Sequence, residues 1–433
     1  MRCYRGRVTD PPATRRSRAG AAVRGLAADV TPLRGSSDFR RLWVGLLVSE
    51  SGHQFTIVAS FIQVKRLTGS TLAVGAIGLV GLVSLLAGTL VAGRVLDVVD
   101  RRRLLIHAQF AYMAAAAILL GGALAGDPPV ALVYAGVALL SATSAVDGPA
   151  RNAMTPRLVG RELVPAAAAL NQIVWQVTAL VGPALAGIVI ARLGLPWAYA
   201  IDLVTYAAML IAALGIRPVP PERSADAKTG WAAVREGFGY LRGRPVLGST
   251  FVVDIIAMVF GMPRALFAFL AVSRFHAGAT VTGLLFSAPA VGALVGAATT
   301  GWVARIRHQG RAVLWSVALW GVGITLFGLV GDHLLLALFF LAFAGAADVV
   351  SAVFRNTILQ LSVPDALRGR MSGIHILVVT GGPRLGDLEA GVVASAFTPF
   401  VSVVSGGLLC IAGTALLAVF VPSFRRYHAG DPA

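Results

Sequence analysis

Long hydrophobic runs dominate this chain, and short polar segments separate one run from the next. About twelve of the runs reach the length of roughly 20 residues that an α-helix needs to cross a bilayer. We predict spans at residues 42–64, 72–96, 104–125, 130–146, 166–191, 197–216, 246–272, 281–304, 312–330, 334–354, 371–397 and 401–421. The pattern therefore predicts an all-α integral membrane protein with about twelve transmembrane helices.

One long polar interruption, residues 217–245, divides the predicted spans into two groups of six. We expect six-helix bundles at 38–216 and 246–421, an Arg-rich disordered tail at 1–37 and a C-terminal tail at 422–433. The second half of the interruption has one apolar helical face, formed by Trp231, Val234, Phe238 and Leu241. This face predicts a short amphipathic helix, either on the inner membrane surface or packed against the cytoplasmic side of the protein.

The two groups of spans repeat one another along the sequence. Arg151-Asn152 follows the fourth predicted span, and Arg355-Asn356 follows the tenth, 204 residues later. Five glycines of the first group recur at offsets of 204 or 208 residues: Gly182, Gly187, Gly75, Gly88 and Gly93 correspond to Gly386, Gly391, Gly283, Gly296 and Gly301. Two pseudo-symmetric halves in a parallel repeat are typical of transporters with an axis along the membrane normal.

Composition agrees with this architecture. Of the 433 residues, 57% are hydrophobic and only 13% are charged, whereas soluble proteins carry roughly 25% charged residues. The net charge of +17 would suit a nucleic-acid partner if the basic residues formed one face with interleaved aromatic residues. They lie instead in alternate short loops, so we expect a lipid bilayer around the chain and no nucleic acid.

The positive charges predict the orientation of the chain. Two of the 37 Lys and Arg residues, Arg264 and Arg384, fall within predicted spans. Four others fall in loops of one side: Lys65, Arg66, Arg192 and Arg274. The remaining 31 lie in the tails or in loops of the opposite side. Since cytoplasmic loops collect Lys and Arg, we predict that both termini are cytoplasmic.

The basic loop between the second and third spans carries a motif. Gly93 and Asp97 have the spacing G-x-x-x-D, and three arginines begin at Arg101. This motif resembles the loop signature between the second and third helices of the major facilitator superfamily, and the likeness extends over residues 38–421. Four segments resemble the subgroup that contains the enterobactin exporter and bacterial multidrug efflux proteins: 38–43, 149–151, 170–172 and 381–387. The resemblance implies secondary transport by alternating access.

The chain also departs from the family pattern. Val98 stands where the family has a basic residue, and Asp100 stands where it has Gly. The second-half copy of the loop, residues 301–311, lacks the Asp. The fourth span lacks the Arg and Gln-Gly pattern of many proton-coupled drug exporters. The coupling scheme of those exporters is therefore not carried over to this chain.

The resemblance implies roles for two motifs. In the family, the loop Asp faces the N-terminal end of the eleventh helix, whose positive end favours an acid. Asp97 is thus the candidate conformational latch, together with Gly93 and with Arg101 as its holding partner. The alternative is that the arginines only enforce topology. Three residues of the fifth span are similar to a signature associated with antiporters, in which a Gly-Pro pair permits close helix approach: Gly182, Pro183 and Gly187.

Two acids inside spans are candidate proton carriers. Glu50 lies near the middle of the first span, and its repeat mate Asp254 lies in the seventh, 204 residues later. In the family these two spans line the cavity, and a charge in hydrocarbon costs at least about 2–3 kcal/mol. The alternative is that each acid pairs with a polar neighbour and serves packing.

Further charged residues lie in the second half. Arg384 and Asp387 of the eleventh span can share one helix face because they are three residues apart, while Glu389 points elsewhere. Arg264 in the seventh span is a candidate partner of Glu389 or of an anionic substrate. An internal ion network without a substrate role is the alternative. Three more acids lie nearer to span ends, where we expect hydrated or capping roles: Asp147, Asp202 and Asp348.

Catalytic motifs are missing from the sequence. There is no G-x-x-x-x-G-K-S/T run, and Cys3 and Cys410, the two cysteines, predict neither a disulfide framework nor a metal site. We therefore predict a monomeric, multi-pass protein of a bacterial cytoplasmic membrane that is not an enzyme and uses no cofactor. The predicted function is proton-coupled efflux of a small amphiphilic molecule such as a drug or siderophore. The alternatives are a nutrient-importing facilitator and a transport-dead membrane sensor.

Overall fold

The computed structural model describes residues 29–96, 98–220 and 239–428, and helices are the regular structure throughout these ranges. The first half of the molecule contains α1 (Ser37–Thr68), α2 (Thr71–Val95), α3 (Arg101–Leu124), α4 (Val130–Val159), α5 (Val164–Leu193) and α6 (Leu195–Leu214). The second half contains α7 (Pro245–Phe260 and Phe267–Ser273), α8 (Ala279–Ala298), α9 (Gln309–Leu329), α10 (Leu334–Ser362), α11 (Asp365–Ala396) and α12 (Pro399–Phe420).

These helices suit a membrane environment. Within the described ranges, ten spans are long and apolar enough to cross a bilayer. The other two long helices carry charge in their interior, at Glu50 in α1 and at Arg384 and Asp387 in α11. Large apolar side chains such as Leu335 and Phe420 are exposed on the outer surface, as expected where a helix faces lipid instead of water. The predicted all-α membrane fold is confirmed.

Local sequence explains where several helices begin and end. Side-chain oxygens of Ser70, Asp100 and Thr398 accept hydrogen bonds from backbone amides in the first turns of α2, α3 and α12. Such caps satisfy amides that have no partner inside the helix. Gly69 ends α1 with a φ of 61°, a conformation that glycine adopts without a steric penalty.

The fourth and tenth helices run further than predicted. α4 continues to Val159 and α10 to Ser362, although the apolar runs end near residues 146 and 354. Arg151 and Arg355 therefore lie inside helices, and their assignment to loops was wrong, while their cytoplasmic side stays a prediction. The physical reason is that both arginines are paired with carboxylates on other helices, and a hydropathy pattern does not register such pairing.

The seventh span is interrupted, whereas the sequence predicts one continuous helix. Pro245–Phe260 ends at Gly261, a short 3-10 turn follows at Arg264–Leu266, and Phe267–Ser273 resumes the helix. Trp320 of α9 donates its indole N–H to the carbonyl oxygen of Gly261 over 2.8 Å. A break inside a membrane is tolerated where the freed backbone groups find partners within the protein.

The structure corrects the prediction for the end of the N-terminal tail but does not test the one for the linker. Residues 31–35, expected to be disordered, form a short helix, because Pro32 is buried and Leu33 packs against a cluster around Phe39. The predicted amphipathic helix of the linker falls largely on residues 221–238, which lie outside the described residues.

The repeated glycines make equivalent contacts in the two halves. A Cβ atom on Gly88 would lie 2.5 Å from the carbonyl oxygen of Ala142 in α4. At the matching position of the second half, a Cβ on Gly296 would lie 3.0 Å from the carbonyl oxygen of Ala346 in α10. Both pairs of helices approach closely because a side chain is missing. The predicted sequence repeat therefore corresponds to equivalent helix–helix contacts in the two halves.

Other glycines bring the two halves together. A Cβ on Gly75 of α2 would lie 2.7 Å from a carbonyl oxygen of α11, and Gly391 of α11 faces Gly75 in return. In the symmetry-related contact, a Cβ on Gly187 of α5 would lie 2.5 Å from the carbonyl oxygen of Ala279, and Gly283 of α8 faces Gly187. These contacts involve the start of α2 and α8 and the end of α5 and α11. The halves thus meet at one end of the bundle.

We expect G283A to weaken this junction. The added methyl would clash with the backbone carbonyl of Pro183, and overpacking of this kind costs about 1–3 kcal/mol. Thermal unfolding of the purified protein in detergent measures the loss. The control is G121A, since Gly121 is also helical but has open space around it; alanine there should preserve or raise stability. Equal behaviour of the two variants would contradict the packing role of Gly283.

Candidate substrate cavity

A cavity of about 340 Å³ lies between the two halves. Helices α1 to α6 contribute to its wall from the first half, and the break in α7 together with α11 contributes from the second. Its polar and aromatic lining consists of Ser49, Glu50, His53, Gln54, Thr56, Ser60, Phe61, Gln109, Tyr112, Ser141, Ser144, Asp147, Arg151, Trp175, Tyr206, Arg264, Thr380, Arg384 and Asp387. Sites for small molecules in membrane transporters commonly lie at such an interface between repeats.

One ion network occupies the wall of the first half. Arg151 of α4 donates to Glu50 of α1 over 3.1 Å, and its other terminal nitrogen lies 3.0 Å from Asp147 one turn earlier. The Asp147 side chain is 3% exposed, and those of Glu50 and Arg151 are each 21% exposed. We call these three residues the first triad. Asp147 is therefore part of the cavity wall, and its predicted hydrated role near a span end was wrong.

Next to the first triad lies a set of hydrogen-bonded polar groups. The Nδ1 atom of His53 lies 2.9 Å from the hydroxyl oxygen of Tyr206, whose ring stacks on Tyr112 with centroids 4.8 Å apart. Thr56 donates its hydroxyl to Asp202 of α6, which is fully buried. Asp202 thus joins α6 to α1, so its expected role at a hydrated span end was wrong as well.

The second half contains the counterpart of the first triad. Arg355 of α10 forms ion pairs with Asp254 of α7 and, over 3.4 Å, with Asp348 two turns earlier in α10. The Asp254 side chain is 2% exposed and does not line the cavity. The predicted repeat mates Glu50 and Asp254 therefore both pair with the arginine of their own half, but only Glu50 reaches the cavity.

The eleventh helix places two charged residues at the cavity. Arg264, at the break in α7, donates to Asp387 over 2.7 Å, so its alternative assignment as the partner of Glu389 was wrong. Arg384 lines the cavity one turn before Asp387, and its Nη1 atom donates to the backbone oxygen of Thr380 over 3.0 Å. Glu389 is partly buried and lies outside the cavity lining.

Of the two family motifs, the structure describes the one in the fifth span completely, and its three residues are not part of the cavity lining. Asp97 lies outside the described residues, so its role as a latch stays a prediction. Nearby, the backbone amide of Arg101 donates to Val219 over 3.0 Å at the start of α3. In the fifth-span motif, Gly182 packs against Gln54 of its own half, whereas Pro183 and Gly187 contact α8 across the junction. The motif therefore takes part both in packing within the first half and in the contact between the halves.

Comparison with known proteins identifies the family. The model of the transmembrane secretion effector family, a branch of the major facilitator superfamily, matches residues 27–429. The chain belongs to this family. The Enterobactin exporter EntS of Citrobacter koseri is 28% identical to this chain over 398 residues, which make up 91% of this chain and 94% of that protein. EntS of Escherichia coli O1:K1 is 26% identical over 395 residues with the same coverage.

Solved structures share the fold of this chain. A mutant of the nucleoside transporter NupG superposes with a TM-score of 0.71 at 12% identity, covering 89% of this chain and 98% of that one. A D-xylose–proton symporter gives 0.69 at 14% identity, with coverage of 88% and 98%. A bacterial homologue of ferroportin in an inward-facing state gives 0.66 at 15% identity, with coverage of 90% and 98%. These structures share the fold of the chain, and its membership of the family together with its membrane-spanning helices and its exporter relatives makes it a transporter of the major facilitator type and a multi-pass protein of a bacterial cytoplasmic membrane.

The sequence predicted which charged residues lie inside the bundle, but it did not predict all of their partners. The predicted residues that lie inside the bundle are Glu50, Asp254, Arg264, Arg384 and Asp387. The unexpected members are Arg151 and Arg355, and the repeated Arg-Asn pair was the available signal for both. Glu50 and Arg151 recur as Asp254 and Arg355 at the same offset of 204 residues. Such a common offset indicates that the same ion pair forms in each half.

We expect R355Q to destabilise the protein strongly. The substitution leaves the buried Asp254 and the partly buried Asp348 without their cation, and removing one partner of a buried ion pair costs about 3–5 kcal/mol. Denaturant unfolding of the purified protein measures the change. R192Q is the control because Arg192 is exposed at the end of α5. Adding D254N to R355Q should recover part of the loss; no loss in R355Q itself would show that the pairing does not stabilise the fold.

Proposed function

We propose that this protein exports a small amphiphilic molecule in exchange for protons and works by alternating access. The observation that supports the proposal most directly is the first triad, a network of one arginine and two acids in the wall of a cavity between two repeated halves. The relatives named as enterobactin exporters favour export over import. A siderophore or a drug would both fit the amphiphilic class.

The charge of the first triad supports proton coupling. Glu50 and Asp147 together with Arg151 carry one excess negative charge when all three are ionised. An uncompensated charge in a poorly solvated site is costly, so uptake of one proton makes the triad neutral. Protonation of Glu50 would also weaken its hydrogen bond to Arg151, which joins α1 to α4. A proton taken from the cavity can thus alter a contact between two helices of the first half.

The distribution of contacts supports movement of the halves as units. The ion pairs of Arg151, Arg264 and Arg355 all join residues of the same half. Between the halves, the glycine contacts rest on backbone packing. Rocking of one half against the other, the motion expected for repeated transporter folds, would leave these ion pairs intact while the glycine contacts open.

The predicted orientation assigns a side to the junction. If both termini are cytoplasmic, the start of α2 and the end of α5 lie at the outer surface. The glycine junction then closes the outer end, and the cavity is reached from the cytoplasm. An exporter loads its substrate from that side, so the proposed orientation and the proposed direction of transport agree.

We propose that Asp97 acts as a latch at the opposite, cytoplasmic end. Its support is the family motif, with Gly93 and Arg101 in the expected places. D97N should slow transport about tenfold or more, because it removes a charge that stabilises one access state, while the amount of folded protein is unchanged. D127N is the control, since Asp127 is exposed in a loop at the other end of α3. Normal turnover of D97N would remove the latch role.

Transport in inverted membrane vesicles with an imposed pH gradient tests the coupling. Uptake of labelled drugs or siderophores should rise with an acidic interior and fall when the gradient is collapsed. E50Q should flatten this pH dependence, because an amide cannot bind the proton. E162Q is the control, since Glu162 is exposed outside the cavity.

Each outcome of the vesicle assay separates the candidate functions. Transport that ignores the gradient would replace proton exchange with facilitation. Uptake into right-side-out vesicles alone would reverse the proposed direction. A folded wild-type chain that moves none of the panel would favour the transport-dead sensor. An unchanged pH profile in E50Q would exclude Glu50 as the proton carrier and leave Asp254 as the next candidate.

A further inference from the structure

We propose that Arg384 binds the anionic group of the exported molecule, so that the substrate class is an organic anion with an apolar, aromatic body. This inference rests on the proposed transport function and names the substrate class of the same cavity. Three arginines line the cavity, and they differ in whether a carboxylate compensates their charge.

Two of these arginines already have carboxylate partners. Arg151 pairs with Glu50 and Asp147, and Arg264 pairs with Asp387. Arg384 has no ion pair among the residues of 29–96, 98–220 and 239–428, and its described hydrogen bond is to a backbone oxygen of its own helix. A cation inside a membrane protein usually has a partner. An anion brought by the substrate would supply the missing one.

The neighbouring helix keeps space for this guanidinium. Opposite Arg384, α2 has Gly78 and Gly81; a Cβ atom on Gly81 would lie 3.0 Å from Nε of Arg384. One turn earlier in α2, Gly78 lies against the backbone oxygen of Arg384. The side chain of Arg384 therefore reaches across the boundary between the halves, where a bound molecule would touch both of them.

Charge is divided between the two walls of the cavity. The first triad has one net negative charge when ionised, whereas Arg264, Asp387 and Arg384 together have one net positive charge. An organic anion would therefore bind at the wall of the second half. The first triad would remain available for the proton. A guanidinium suits this task because it can donate two parallel hydrogen bonds to a carboxylate.

The remaining lining suits an aromatic body. Phe61, Tyr112, Tyr206 and Trp175 line the cavity. Aromatic side chains provide large apolar contact areas together with polar edges. The volume of about 340 Å³ lies at the small end of pockets that hold drug-sized ligands.

Calorimetric binding to the full chain in lipid nanodiscs at neutral pH tests the inference. The two probes are naphthoate, which is an anion, and naphthamide, which has nearly the same shape without the charge. Wild-type protein should prefer naphthoate by about tenfold to a hundredfold, the range expected for a charge-assisted hydrogen bond. R384Q should lose this preference while it keeps the naphthamide affinity. R384K should retain part of the preference, because the positive charge remains.

The control is R192Q, which removes an exposed arginine far from the cavity and should bind as wild type does. Equal binding of the two probes by wild type, absence of naphthoate binding, or a preference that survives in R384Q would each overturn the inference. The binding assay uses no pH gradient, so it is independent of the vesicle assay. A preference for naphthoate together with gradient-independent transport would refute proton exchange and leave the role of Arg384 intact. Gradient-driven transport without this preference would refute the role of Arg384 and leave proton exchange intact.

Discussion

A guanidinium buried between membrane helices needs carboxylates around it, and this requirement organises the interior of both halves. Arg151 joins α4 to α1 through Glu50, and Arg355 joins α10 to α7 through Asp254. In each half a single arginine thus connects the first and fourth helices. Such pairing offsets the high cost of an isolated charge away from water. The helices can therefore carry charged residues at depths where hydropathy alone would exclude them.

The same requirement separates fixed contacts from contacts that can change. The ion pairs at the cavity stay within one half, and the junction between halves consists of closely packed glycines. Separation of the halves would expose backbone and small side chains without leaving a buried charge unpaired. Each half would therefore keep its ion pairs if the halves separated, as the proposed rocking motion requires.

Much of the fold was predictable because hydropathy and repeats are local properties of the chain. The apolar runs predicted the number and order of the helices, and repeated glycines such as Gly88 and Gly296 predicted two related halves, in which the structure shows equivalent helix contacts. The ends of α4 and α10 were not predictable in this way. A hydropathy pattern ends a span at its first charged residues, whereas the folded protein continues the helix because Arg151 and Arg355 find carboxylates on other helices.

The sequence by itself determined the membrane class, the repeat and the identity of the charged residues that needed an explanation inside the bundle. Only the tertiary structure decided how these residues are combined: Arg264 pairs with Asp387, Asp254 is buried away from the cavity, and Arg384 is left facing it. The physical reason is that a charge in a low-dielectric interior depends on neighbours that are distant along the chain. Those neighbours are brought together by helix packing, so the pattern around any single residue does not contain them.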